Sequence, residues 1–433
     1  MDTLTHIFRG LFGLTAFVGL AVLLSENRRA INWRVVTIGL GLQFVFAGLV
    51  IYAPPVRYAV EAVGAFFVKL LAFTGEGTKF VFGSLVDAEK HGMVFGLSIL
   101  PSIIFFSAFT SALYYLGILQ KIVYAFAWVM TKAMRLSGPE TLSASANVFL
   151  GQTEAPLLIK PYLATLTRSE MLAVMVGGMA TVAGAVLIAY ISFLGGTDPA
   201  QQVIFATHLI TKSVISAPAA LIIAKILVPQ TEKVASDLAV SKDRVGANFL
   251  DAICLGTTDG IKLAVNVGGM LIVFTAGVAL VNYVLSGWIG DPLGLNTWVA
   301  SVTNGAFKSF SLEFILGMLF APVAWLMGIS NDALLQSGSL LGTRTVLNEF
   351  VAFLQLADLK NAGAYNDPRN LMIMTYALCG FANIVSIGIQ IGGISAIAPG
   401  QRENLAKLGV KALIGGSIAC FMAAAIAGIL VPV

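Results

Sequence analysis

Charge is what this sequence has least of. Asp, Glu, Lys and Arg make up 11% of its 433 residues, where a soluble chain carries about 25%. Together with 58% hydrophobic residues and a mean hydropathy of +0.88, this excludes an ordinary soluble globular protein and points to a polytopic membrane protein. Histidine is nearly missing: His6, His91 and His208 stand far apart, and no His-Glu-x-x-His helix is present to hold a metal. No Gly-x-Ser-x-Gly elbow occurs either, so an enzyme is not expected. The three cysteines, Cys254, Cys379 and Cys420, are scattered through apolar segments. Their spacing suits neither a metal nor a disulfide framework, and they read as small buried hydrophobes. The net charge is only +4, and the basic residues lie in short loops, where they act as topology signals rather than as a nucleic-acid patch. The first residues lack a basic n-region and a small-residue cleavage site, so the first apolar run is expected to be a retained helix.

Crossing a bilayer takes about 20 mostly apolar residues. Such stretches lie at 8–25, 34–53, 94–118, 169–194, 203–228, 264–288, 370–394 and 408–431, which predicts eight transmembrane helices. Residues 55–90 and 245–262, and similarly 119–135 and 311–329, mix charged residues with Phe, Val and Leu, as interfacial helices do. Residues 138–165 and 330–357 each hold short apolar pieces around a polar centre, neither long enough to cross alone. They predict two re-entrant helical hairpins, because irregular backbone at membrane depth must be buried in protein or line a wet cavity. Arg28, Arg29 and Arg34, then Lys132, Arg135, Lys160 and Arg168, then Lys233, Lys242 and Arg244, then Arg402 and Lys407 mark alternate loops, while 195–201 has no Lys or Arg. This places both termini outside and the first hairpin on the cytoplasmic side.

The chain also repeats itself. Thr74-Gly-Glu76-Gly77-Thr-Lys79 resembles Thr257-Thr-Asp259-Gly260-Ile-Lys262, Ala127-Trp128-Val129-Met130 resembles Ala324-Trp325-Leu326-Met327, and Thr153-Glu154 resembles Asn348-Glu349. Each hairpin is followed by a small-residue helix, Gly177–Gly184 in one half and Cys379–Asn383 in the other. The matches keep one order, so they read as a repeat. Three crossings per repeat is an odd number, so the second copy is inverted. The hairpins then dip in from opposite faces, and Glu154 and Glu349 meet near mid-membrane. A carboxylate there costs at least ~2.5 kcal/mol, and sites of this kind at repeat interfaces are a habit of secondary transporters.

The residues around those carboxylates suggest the solute. Gln152, Thr153 and Glu154 can read the edge of a heterocycle or amide. Glu349 with Asn348, Asn383 and Ser386 suits a vicinal diol, and Phe381 and Val186 could supply apolar surface to a ring. No Arg stands at either tip and no Gly-rich phosphate cradle occurs, so a neutral, hydroxyl-bearing solute is expected. The competing reading is structural: a Glu paired with a Lys or capping a broken helix, with Gln, Asn, Ser and Thr as interhelical glue. The repeat favours function for the two carboxylates, while for Phe381 core packing and ligand stacking stay open. Asn147 and Thr181, with freed backbone carbonyls at Leu150 and Val182, would make an oxygen-only site for a hard monovalent cation. The alternative there is a capping Asn and a back-bonded Thr.

Gly-Gln-Thr-Glu-Ala-Pro-Leu-Leu-Ile-Lys-Pro-Tyr-Leu (151–163), Leu-Asn-Glu-Phe-Val-Ala-Phe (347–353) and Ala-Leu-Cys-Gly-Phe-Ala-Asn-Ile-Val-Ser-Ile-Gly-Ile (377–389) closely resemble the concentrative nucleoside transporter family. The resemblance implies an all-α polytopic membrane protein with eight crossings and two opposed re-entrant hairpins, assembled as a homotrimer that works as an elevator in a bacterial inner membrane. It implies peripheral helices over 1–54, scaffold over 55–135 and 229–329, and a mobile transport domain over 136–228 and 330–433. Nucleosides such as uridine, cytidine or adenosine would be the substrates, with a nucleobase as the alternative solute; no nucleic acid is involved. Base recognition falls to Gln152, Thr153, Glu154 and Val186, and ribose recognition to Glu349, Asn383 and Ser386, with Phe381 beside the base. Sodium falls to Asn147, Leu150, Thr181 and Val182. Thr181 stands where some members have Ser and keeps the hydroxyl. Some bacterial members use protons, which is the alternative coupling ion.

Overall fold

A computed structural model of the chain describes residues 3–87, 90, 94–232, 234, 246–365 and 367–431. His91, Lys233, Lys242 and Arg244 lie outside the described residues. Regular structure among the described residues is helical throughout, as it must be where lipid offers the backbone no hydrogen bonds. The chain opens with α1 (Thr3–Leu23), α2 (Trp33–Tyr52), the long amphipathic α3 (Pro54–Phe82), α4 (Leu100–Tyr115) and α5 (Ile118–Met134). The first hairpin descends as α6 (Gly138–Ala146) and returns as a 3₁₀ turn (Ala155–Ile159) and a helical turn (Lys160–Leu163). Then come α7 (Arg168–Ala180), α8 (Gly184–Gly195), α9 (Pro199–Leu227), α10 (Phe249–Asn282), α11 (Leu295–Val302) and α12 (Leu312–Met327). The second hairpin is α13 (Leu334–Val346) and α14 (Glu349–Asn361), followed by α15 (Pro368–Leu378), α16 (Ile384–Ile397) and α17 (Arg402–Leu430). Proline opens α3, α9 and α15, where its missing N–H would be unpaired in any case.

The order α5, hairpin, α7 with α8, α9 returns as α12, hairpin, α15 with α16, α17, so the repeat read from short motifs is a repeat of elements. Seven segments are long and apolar enough to cross a membrane among the described residues. The eighth expected crossing, 370–394, is not one helix. α15 ends at Leu378 and α16 starts at Ile384, because Asn383 turns its side chain to cap the new helix, accepting from the Ser386 N–H at 2.9 Å. The crossing at 169–194 is divided in the same way at residues 181–183. The two breaks touch: the Phe381 N–H donates to the Thr181 carbonyl at 3.2 Å.

Breaking a helix inside a bundle leaves carbonyls without partners. A buried cation meets each set here. Lys212 Nζ on α9 donates to the Ala180 carbonyl at 2.5 Å, and the Arg344 guanidinium on α13 donates to the Ala377 carbonyl at 2.6 Å. Both side chains are fully buried. A positive charge at a helix C-terminus also complements the helix dipole.

Two further expectations need correction. Residue 245 of the expected interfacial helix at 245–262 lies outside the described residues, and 249–262 form no separate helix; they are the start of α10, which runs unbroken for 34 residues. At 1.5 Å per residue that is about 50 Å, longer than the roughly 30 Å hydrocarbon core, so polar residues at one end leave the bilayer without a break in the helix. Cys254, on that part of α10, is exposed, whereas Cys379 and Cys420 are buried. Residues 169–191, which span most of α7, the break and most of α8, are all buried, so protein rather than lipid surrounds the first break.

Candidate functional site

The two hairpin tips and the two helix breaks enclose a cavity of about 450 Å³. Gln152, Thr153, Glu154, Val186, Glu349, Phe381, Asn383 and Ser386 all line it, so the structure brings together every predicted solute residue. α10 closes the opposite side through Leu263, Asn266, Val267 and Met270. A larger groove, about 900 Å³, lies between α3, α4 and α10. Its walls are almost wholly apolar. The hydroxyls of Thr74, Thr78 and Thr257 bond back to carbonyls of their own helices, so that groove offers a polar solute nothing to bind.

The second tip is built from caps. Leu347 and Asn348 separate α13 from α14, and the Asn348 side chain accepts from the Val351 N–H at 3.0 Å. That makes Glu349 the first residue of α14, with its carboxylate at the positive end of the helix dipole. Glu349 is 3% exposed, and Asn383 Nδ2 donates to its Oε2 at 2.7 Å. Asn383 thus caps α16 with its oxygen and orients Glu349 with its nitrogen. Glu154 behaves differently. Its Oε2 accepts from the Gly151 N–H at 2.9 Å, which curls the tip around its own carboxylate, and the side chain is exposed to the cavity. Gln152 is buried and its Nε2 donates to Ser386 Oγ at 3.2 Å, joining the first tip to the second break.

The proposed ion ligands sit behind this cavity. Asn147 ends α6, is 1% exposed, and neither of its amide atoms has a hydrogen-bond partner among the described residues. It stands at the C-cap of α6, where its backbone N–H bonds to the Ser143 carbonyl, but its side chain makes no capping bond among the described residues. A buried polar atom left unpaired costs about 1–3 kcal/mol, and a bound cation would offset that cost at the Asn147 oxygen. α7 passes against it: a Cβ at Gly177 would lie 3.2 Å from Asn147 Nδ2. Thr181 does bond back, donating to the Gly177 carbonyl at 2.8 Å, but donation leaves its oxygen lone pairs free. The Gly184 N–H donates to the Phe149 carbonyl at 3.2 Å, which holds the stretch containing Leu150 beside the break containing Val182. The donor set is all oxygen and fits a hard monovalent cation.

Sequence reasoning missed Gln390, Lys212 and Arg344, the buried polar residues that hold the tips and breaks in place. Gln390 follows Ser386 by four residues, one helical turn on the same face, and that spacing is the signal that could have found it.

Residues 208–428 match the family model for the C-terminus of Na+ dependent nucleoside transporters, residues 12–85 match the model for their N-terminus, and residues 96–197 match a model described as a nucleoside recognition gate. An uncharacterized transporter of Haemophilus influenzae is 38% identical over 430 residues, covering 98% of each chain. Sodium/nucleoside cotransporter 1 of Rattus norvegicus is 39% identical over 438 residues, covering 96% of this chain and 64% of the relative. CNTnw in an inward-facing, substrate-bound state superposes with a TM-score of 0.87 at 36% identity over 98% of both chains. An outward-facing CNTnw variant superposes with a TM-score of 0.89 at 34% identity, over 99% of both.

Proposed function

Because the chain belongs to the family of Na+-dependent, concentrative nucleoside transporters, we propose that its central cavity holds one nucleoside lengthwise, base at the first hairpin tip and ribose at the second. The chain itself is a secondary active, sodium-coupled nucleoside transporter of a bacterial inner membrane, working by elevator-type alternating access. The Asn383–Glu349 bond is the observation that carries the ribose assignment. It fixes the carboxylate beside the cavity with acceptor capacity to spare, as two adjacent hydroxyls require. Ser386 adds a hydroxyl on the same helix. Gln152, Thr153 and Glu154 offer both donors and acceptors to a base edge, with Val186 and Phe381 as apolar surface. Uridine, cytidine and adenosine are the expected substrates. A free nucleobase would leave Glu349, Asn383 and Ser386 without partners.

Sodium is assigned to Asn147, Leu150, Thr181 and Val182, supported by the unpaired Asn147 amide. An ion there would order the first tip and so tighten nucleoside binding, and by reciprocity the nucleoside would tighten sodium binding by the same factor. The halves 136–228 and 330–433 are assigned to the moving domain, 55–135 and 229–329 to the scaffold and 1–54 to its periphery. Three copies are expected to associate, giving a particle of three times the 45.5 kDa chain mass by light scattering of the detergent-solubilised protein.

The test is radiolabelled uridine uptake into proteoliposomes under an inward sodium gradient, with choline as control. Accumulation should require sodium, and excess unlabelled uridine should block it while excess uracil does not. Equal block by uracil would remove the ribose from the reading. Uptake driven by protons and indifferent to sodium would remove the ion site.

A further inference from the structure

Gln390 does not reach the cavity, yet it controls a residue that does. It sits on α16, fully buried, where Leu or Met would pack without the cost of burying an amide. Its Nε2 donates twice, to the Met175 carbonyl of α7 at 3.0 Å and to Gln152 Oε1 at 3.1 Å. A backbone carbonyl only accepts, so the Gln390 atom facing Met175 must be the nitrogen. Its second hydrogen then requires an oxygen from Gln152. With Oε1 held there, Gln152 Nε2 faces Ser386 Oγ at 3.2 Å. The amide of Gln152 is thereby fixed in one of two orientations that its own shape makes nearly equivalent. The backbone leaves room for this contact: a Cβ at Gly178 would fall 2.7 Å from Gln390 Nε2 and 2.8 Å from Gln152 Cβ.

We propose that Gln390 is a positioning residue for base selection: anchored on the Met175 carbonyl, it locks the Gln152 amide between itself and Ser386 and so lets the first tip distinguish uracil from cytosine nucleosides. Gln152 keeps one N–H and one lone pair for a ligand, each in a fixed place. Uracil offers a donor at N3 and an acceptor at O4, and cytosine an acceptor at N3 and a donor at N4. A fixed amide matches one of these patterns; an amide free to turn over matches both. This inference rests on the assignment of Gln152 to the base.

The test compares dissociation constants of uridine and cytidine for the purified, full-length protein at saturating sodium. Gln390→Met keeps the volume and removes both donors. It should move the uridine-to-cytidine ratio toward one by about threefold to tenfold, the worth of a single hydrogen bond, with the sodium concentration for half-maximal binding unchanged. A purely structural tie would weaken both nucleosides equally, and that result, like a wild-type ratio already near one, overturns the proposal. If Gln390→Met does not reach the membrane, Gln390→Asn makes the same prediction, since its amide is one methylene too short to bridge Met175 and Gln152. Gln152→Ala separates the two levels. A ratio unchanged in that variant removes Gln152 from base reading. A ratio that moves in Gln152→Ala but not in either Gln390 variant removes only the positioning role.

Discussion

Glu154 and Glu349 occupy matching places in the two halves of the chain, yet their surroundings differ. Glu349 is buried and held by Asn383, whereas Glu154 is bound, among the described residues, by the N–H of its own tip and stays open to the cavity. Replacing Glu349 by Gln should therefore weaken nucleosides that carry a 3′-hydroxyl about tenfold, from the loss of a charge-assisted bond, while 3′-deoxynucleosides lose much less. Equal losses in a binding titration would take Glu349 out of ribose recognition. Asn147→Ala should raise the sodium concentration for half-maximal uptake about tenfold, as loss of one charge-assisted oxygen contact implies, and leave uptake at saturating sodium largely intact. An unchanged sodium titration would place the ion elsewhere. At this scale the sequence was readable where charge stood out against an apolar background, as at both carboxylates. It was opaque at Lys212, Arg344 and Gln390, because a single polar residue in an apolar helix does not say which distant carbonyl or amide it reaches.

Elements show the same division. Hydropathy and the motif repeat located both hairpins to within a few residues, since a polar centre between short apolar pieces has few other solutions at membrane depth. It could not show the division of 370–394, because averaging over about 20 residues passes over a five-residue break; the Asn383 cap after Gly380 was the local cue. Nor could it tell an interfacial helix from the protruding end of α10. What anchors the first hairpin was also hidden. Glu140 accepts from the Ser137 N–H at 2.8 Å and pairs with Lys225 of α9 at 2.6 Å, both side chains buried. Lys225→Met should leave a buried carboxylate without its counter-ion and cost about 3–5 kcal/mol, read as a fall in thermal stability in detergent. The double variant Glu140→Gln, Lys225→Met should recover most of it. A double variant as unstable as the single one would show that the pair is not what holds the hairpin to α9.

Across the whole molecule, the positions of Lys212 and Arg344 have an electrical consequence. The two buried cations at the helix breaks equal in number, and oppose in sign, the two carboxylates at the hairpin tips. Loading one sodium ion with a neutral nucleoside would leave that centre one elementary charge more positive than when empty. A membrane potential does work on such a charge, about 2.3 kcal/mol for each 100 mV that it crosses, and does almost none on a balanced one. Inward movement of the loaded protein should therefore speed up as the inside is made negative with a potassium diffusion potential, while the empty return stays indifferent to voltage. Transport that ignores the imposed potential would mean that the protein moves a neutral centre in both directions. With both carboxylates ionised, these four side chains sum to zero, and the ion alone would carry net charge through the field.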